Sequence, residues 1–204
     1  MLKPNTGYSQ EQKEQVLKAY RERISLRGIE RVFGPCRQTV MVWLEEYLEQ
    51  LPTLMDSLQP AQQADVLEID EVWSFVGRKT NKRWLWTAQC RRTRQIVAFV
   101  IGDHSEATCY RLWLAIPPSY RHCQSFSDFW KTYAAVFPPD THQSVGKETG
   151  QTAHQERWYN TLRQWLGRYT RRTLSFSKAD YFHDLVTRWF ILEHNLRMYP
   201  SLTT

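Results

Sequence analysis

Three strand-like runs follow one another between residues 66 and 102 with only short turns to divide them. Residues 66–76 alternate, with Leu67 and Ile69 on one side and Glu68 and Asp70 on the other, the period of a strand with two unlike faces. Residues 83–90 and 95–102 are aromatic or β-branched runs, and the basic turn Arg91-Arg92-Thr93-Arg94 separates them. Three strands so closely joined predict a meander.

Beyond the meander, helix and strand signals alternate. Residues 105–116 predict a helix that starts after Asp103 and stops at Pro117-Pro118, and residues 120–126 predict a fourth strand with Asp128 just past its end. A short helix over 131–137, a fifth strand over 142–147 and two long helices over 152–171 and 178–198 complete the chain. This is the element order of the ribonuclease-H-like fold, an α/β (α+β) class in which helices flank a central mixed sheet that carries acids on its first and fourth strands. Trp158, Leu162, Trp165, Leu166 and Tyr169 recur at i, i+4, i+7, i+8 and i+11, so the first long helix has one apolar stripe. Glu156, Asn160, Arg163 and Gly167 fall on another face.

The first fifty residues predict three short helices. Ser9 and Gln12 form a capping box ahead of Val16, Leu17 and Tyr20, and a helix over 26–33 is broken by Gly34-Pro35-Cys36. A third helix, over 37–51, carries Val40, Trp43, Leu44, Tyr47 and Leu48 on one side. Two short helices about a glycine-containing turn make the helix-turn-helix pattern. Arg37, Gln38 and Thr39 stand at the start of its second helix and off the apolar stripe, where a recognition helix presents base contacts. Residues 1–51 are thus expected to form a small all-α DNA-binding domain, 52–65 a linker with two prolines, and 66–204 the sheet domain.

Composition supports a globular chain. Of 204 residues 42% are hydrophobic and nine are Trp, enough for a large core. No run of 18 apolar residues and no apolar leader occurs, so no membrane association and a cytoplasmic, nucleoid-associated location are expected. Cys36, Cys90, Cys109 and Cys123 lack the spacing of zinc knuckles and are expected to be reduced core thiols. The formal charge is +6, which favours a polyanionic partner. Residues 1–57 hold eight Lys+Arg and eight Asp+Glu, whereas residues 146–204 hold nine and five. Arg157, Arg163, Arg168, Arg171, Arg172 and Lys178 surround a single acid, Glu156. Trp158, Trp165, Trp189 and Phe190 have helical spacing that assigns them to the core rather than to base stacking.

Three carboxylates brought together raise one another's pKa unless cations neutralise them. Oxygen ligands of this kind suit Mg²⁺ or Mn²⁺, and two such ions can drive an in-line displacement at phosphorus. Taken singly, each acid is more often a solvated or capping residue than a ligand.

The motifs favour the metal-site reading. Residues 67–76, Leu-Glu-Ile-Asp-Glu-Val-Trp-Ser-Phe-Val, resemble the first-acid motif of the insertion-sequence-one family of bacterial transposases. Residues 127–133, Ser-Asp-Phe-Trp-Lys-Thr-Tyr, resemble its second-acid motif, residues 152–163 its third, and residues 171–178 its tail motif. The resemblance implies a DDE transposase in which Asp70, Asp128 and Glu156 are catalytic and hold two Mg²⁺ or Mn²⁺ ions. It implies cleavage of DNA at element ends with water, followed by attack of the freed 3′-hydroxyl on target DNA. Double-stranded DNA, as terminal inverted repeats and as target, is the implied partner. Contacts are expected from Arg37, Gln38 and Thr39 and from Arg157, Asn160, Arg163, Arg168, Arg171 and Arg172. Two ends must be synapsed, so a homo-oligomer, a dimer or larger, is expected. The family's usual cysteine-rich zinc-binding segment has no counterpart here, as in a truncated copy or one whose upstream part is encoded separately. The alternative reading is an inactive copy that acts only as a helix-turn-helix DNA-binding protein.

Overall fold

A computed structural model describes residues 7–170 and 175–199. The chain divides into two compact units, Met1–Leu51 and Pro52–Thr204.

In the first unit, α1 (Gln10–Arg21), α2 (Leu26–Phe33) and α3 (Arg37–Gln50) enclose a small core. The capping box is formed: Ser9 Oγ accepts from the Gln12 N–H at 3.2 Å and Gln12 Oε1 from the Ser9 N–H at 2.8 Å. Ser25 caps α2 by accepting from the Gly28 N–H at 3.0 Å. Gly34 ends α2 at φ 93°, a left-handed conformation that costs glycine little. Val16, Leu17, Ile29, Val40, Trp43, Leu44 and Leu48 are buried between the three helices.

The second unit is built on a five-stranded sheet in the order β3-β2-β1-β4-β5. β1 (Val66–Phe75), β2 (Lys82–Cys90) and β3 (Ile96–Gly102) form the antiparallel meander, and β4 (Gln124–Ser127) and β5 (His142–Ser144) extend it in parallel from β1. This is the expected ribonuclease-H-like mixed sheet. One face packs Leu67, Ile69, Trp86, Ala98 and Val100 against α4 (Glu106–Ala115) and α5 (Lys131–Val136). The other packs Val72, Leu85 and Ile96 against α6 (Ala153–Trp165) and α7 (Asp180–Met198) through Trp158, Tyr159, Leu162, Phe190 and Ile191. Trp158, Trp189 and Phe190 are buried as expected, while Trp165 is half-buried.

Several boundaries differ from expectation. The predicted start of the fourth strand is a 3₁₀ turn over Pro118–Tyr120, because Tyr120 is drawn into the core and donates its hydroxyl to the Gln59 carbonyl at 2.7 Å. Residues 52–65, predicted as a linker, are folded onto the sheet. Asp65 is buried and accepts from Arg92 at 2.6 and 2.9 Å, and Gln95 Nε2 donates to the Ser57 carbonyl at 2.7 Å. Cys90, Cys109 and Cys123 are buried thiols, but Cys36 is exposed, because the residue that precedes α3 lies at the surface of its small unit. Among the described residues no helix is long and apolar enough to cross a membrane.

Candidate active site

The two-residue period of β1 sorts its acids. Glu68 and Asp70 share the α6/α7 face with Val72, whereas Glu71 shares the α4/α5 face with Leu67 and Ile69. In the parallel pairing of β1 with β4, Val66, Leu67 and Glu68 stand opposite Gln124, Ser125 and Phe126, an offset of 58 residues. Asp70 and Asp128 are separated by the same 58 residues. The pairing itself ends at Glu68 and Phe126; carried two residues further, the same register would bring the two aspartates level with each other. Asp128 Oδ1 accepts from the Trp130 N–H at 3.0 Å, which folds the chain into a tight turn as it leaves the strand. Asp70 Oδ1 accepts from the Glu71 N–H at 2.9 Å. Both aspartates are half-buried.

Glu156 comes to the same face on α6, and the way α6 is anchored sets its place. Thr152, which precedes the helix, makes no side-chain cap. Glu68 supplies the cap from β1 instead. Its Oε2 accepts from the N–H groups of His154 and Gln155 at 2.9 and 3.1 Å, and its Oε1 lies 2.9 Å from Arg91 Nε and 2.5 Å from His154 Nδ1. The Glu68 side chain is fully buried, which pushes its carboxyl pKa up against the opposing pull of the Gln155 N–H and Arg91. One turn on, Tyr159 donates to the carbonyl of Asp70 at 2.7 Å and shares a 2.7 Å contact with Thr87, the residue opposite Asp70 on β2. Gln155 Nε2 also donates to Thr87 Oγ1. Gln155 and Tyr159 thus clamp α6 over Asp70, and exposed Glu156 is the next residue after one of the clamps. Among the described residues no three His, Cys, Asp or Glu side chains converge on one point as a metal cluster.

The residues expected to touch DNA are in varied settings. Arg157 and Asn160 are exposed on α6, and Arg163 is half-buried with Nη1 3.4 Å from Asn160 Oδ1. Arg168 is bound within the fold, since its Nη1 donates to Ser177 Oγ at 2.9 Å and to the Phe182 carbonyl at 3.0 Å. Arg171 and Arg172 lie outside the described residues. Arg37 and Gln38 are exposed at the first turn of α3, and Thr39 is half-buried with Oγ1 3.2 Å from Cys36 Sγ.

Residues 65–199, from the start of β1 to the end of α7, match the family of IS1 transposases. The chain belongs to that family. It is 35% identical over 131 residues to the insertion element iso-IS1n protein InsB of Shigella dysenteriae, a match that covers 63% of this chain and 95% of that one. It is 35% identical over 130 residues to the insertion element IS1 4 protein InsB of Escherichia coli K12, covering 63% and 75%. Against the insertion element IS1 protein InsB of Shigella flexneri it is 36% identical over 119 residues, covering 58% and 88%. Membership of the IS1 transposase family makes this chain a DNA-acting enzyme by kind.

Sequence reasoning singles out Asp70, Asp128 and Glu156 as candidates in this IS1-family chain but misses Glu68, Tyr159 and Thr87, which anchor α6 over Asp70. Glu68 has no local capping pattern to betray it, Tyr159 reads only as a stripe neighbour, and Thr87 is one Thr in an aromatic strand. The β1–β4 register could have been found by matching Glu68-Ile69-Asp70 with Phe126-Ser127-Asp128 at the common offset.

Proposed function

We propose that this chain is a DDE transposase whose second unit cuts DNA at the ends of an insertion element and joins the freed 3′-hydroxyl to target DNA. The observation that supports the reading is the common 58-residue offset: the β1–β4 register, carried two residues past its end, would align Asp70 with Asp128, and Tyr159 of the helix that bears Glu156 donates to the Asp70 carbonyl. The donor set is all oxygen and all carboxylate, which fits hard divalent ions, and Asp70, Asp128 and Glu156 would hold two Mg²⁺ or Mn²⁺. Such ions, when bound, polarise the scissile phosphate and stabilise the entering and leaving oxygens.

The protein's own groups bind and orient. Arg157, Asn160 and Arg163 flank Glu156 on the outer side of α6 and supply phosphate contacts that carry no sequence information. Arg37, Gln38 and Thr39 at the start of α3 read base edges of the terminal repeats. Water breaks a phosphodiester bond to leave a 3′-hydroxyl and a 5′-phosphate. That hydroxyl then displaces a 3′-oxygen from a target phosphodiester, so the number of ester bonds is conserved in joining. Two ends must be held together, which requires a dimer or a larger assembly.

The test is incubation of purified protein with end-labelled inverted-repeat DNA and Mn²⁺. Nicked and joined products are expected from the wild type and neither from Asp70→Asn, which should bind DNA as before. Nicking without joining would mean a nuclease, and binding without any product would mean a regulator.

A further inference from the structure

We infer that His104 is a positioning residue for Asp128 and acts from the opposite face of β1; the inference rests on the reading of Asp128 as part of the site. β4 has only four residues, and its paired register with β1 ends at Phe126. On its other side β4 pairs with β5 one residue further, to Ser127, so Asp128 lies just past both ladders and depends on side chains for its place.

His104 lies two residues beyond the end of β3. Its ring stacks on Trp130 with centroids 4.0 Å apart and planes at 20°, and on Trp84 at 4.1 Å and 26°. Its Nε2 is 3.1 Å from Glu71 Oε1, and Tyr133 donates its hydroxyl to Glu71 Oε2. Trp130 is held further by Trp86 at 5.0 Å and by the edge of Tyr133 at 5.6 Å. Trp86 is itself the residue opposite Glu71 on β2.

These contacts make a continuous path between the two aspartates. Asp70 is bonded covalently to Glu71, Glu71 holds His104, His104 stacks on Trp130, and the Trp130 N–H donates to Asp128 Oδ1. An imidazole suits the middle of the path because it offers flat faces to two indoles and a polar edge to a carboxylate. Phenylalanine would keep the faces alone. Groups that orient a metal-binding side chain from behind typically alter affinity or activity by about 10–100-fold when removed.

The experiment uses the full chain with His104→Ala and His104→Phe and has two readouts. Amide hydrogen exchange over residues 128–131 needs neither metal nor DNA. It is expected to speed up about tenfold or more in His104→Ala, and by less in His104→Phe, with β1 and α6 unchanged. Cleavage of end DNA in Mn²⁺ is expected to lose about 10–100-fold in kcat with KM for DNA unaltered. Unchanged exchange at 128–131, or faster exchange spread evenly over the sheet, overturns the proposal, as does a change in KM alone. Should His104→Ala fail to fold, a local rise in His104→Phe supports the proposal and its absence overturns it. A wild type that makes no product counts against the transposase reading alone, and exchange then decides the role of His104.

Discussion

Glu68 does from a neighbouring strand what a capping side chain usually does from the residue before its helix. It satisfies two of the N–H groups that open α6 and neutralises Arg91 in the same contact. Its carboxylate is fully buried, so removing it leaves two helix donors without their acceptor and takes from Arg91 one partner, while Gln151 keeps the other end of the guanidinium. Leaving a buried donor without its acceptor costs about 1–3 kcal/mol. Glu68→Ala is expected to lower unfolding stability by that order in urea titration, and a loss below about 1 kcal/mol would mean that the cap is dispensable. Because the same contact seats the helix that bears Glu156, the variant should also cut DNA more slowly at temperatures where it remains folded. The motif around Asp70 singles it out as a candidate in the sequence, whereas Glu68 stands out only as a neighbouring acid. The reason is distance along the chain: its partners lie 23, 86 and 87 residues away, where no local pattern reaches.

At the scale of elements, the sequence discloses each strand and helix of the second unit, and tertiary contacts move their ends. The apolar stripe of α6 continues in sequence through Leu166 to Tyr169, yet the helix stops at Trp165 and gives way to a 3₁₀ turn. Tyr169 is buried there with its hydroxyl 2.7 Å from Thr187 of α7, a contact the turn serves and a periodic pattern does not reveal. β5 covers only His142–Ser144, and one of its residues ties it to β4. His142 is buried, with Nδ1 2.9 Å from Ser125 Oγ and Nε2 3.1 Å from Ser127 Oγ, so a single ring clips β5 to β4 just before Asp128. Burial pushes its pKa down to about 4, and that of His183 at the start of α7 likewise to about 4. An unfolded histidine titrates near 6.5, so between about pH 6.5 and 4 the unfolded chain binds protons that the folded chain refuses. Stability should therefore fall as pH is lowered through that window, by up to about 1.4 kcal/mol per unit for each such group. Thermal melts of the wild type and of His142→Asn check this. The variant starts less stable, having lost its clip, but should show a shallower decline over the window. An identical decline would mean that His142 is not held neutral.

The division into two units carries over to how the whole molecule meets DNA. Residues 1–57 have balanced charge, and four of the six excess positive charges lie in residues 146–204. Non-specific affinity tracks the number of phosphates neutralised, with log K falling by about 0.9 per phosphate for each tenfold rise in salt. It should therefore come chiefly from the second unit. Arg168 is engaged with Ser177 and Phe182 inside the fold, so replacing it would test stability more than binding. Arg157 and Arg163, on the outer side of α6, are the cleaner pair. Substituting both with Gln should weaken binding to every sequence alike and flatten the salt slope by about two units. Gln38→Ala in α3 should do the reverse, with a loss of about 1–3 kcal/mol on terminal-repeat DNA, no loss on random DNA and an unaltered slope. The two variants together separate holding from reading. A flattened slope in Gln38→Ala, or a sequence-selective loss in the arginine pair, would assign the roles of the two units the other way round. An unchanged slope in a folded Arg157/Arg163 variant would mean that the outer side of α6 faces solvent and takes no part in gripping DNA.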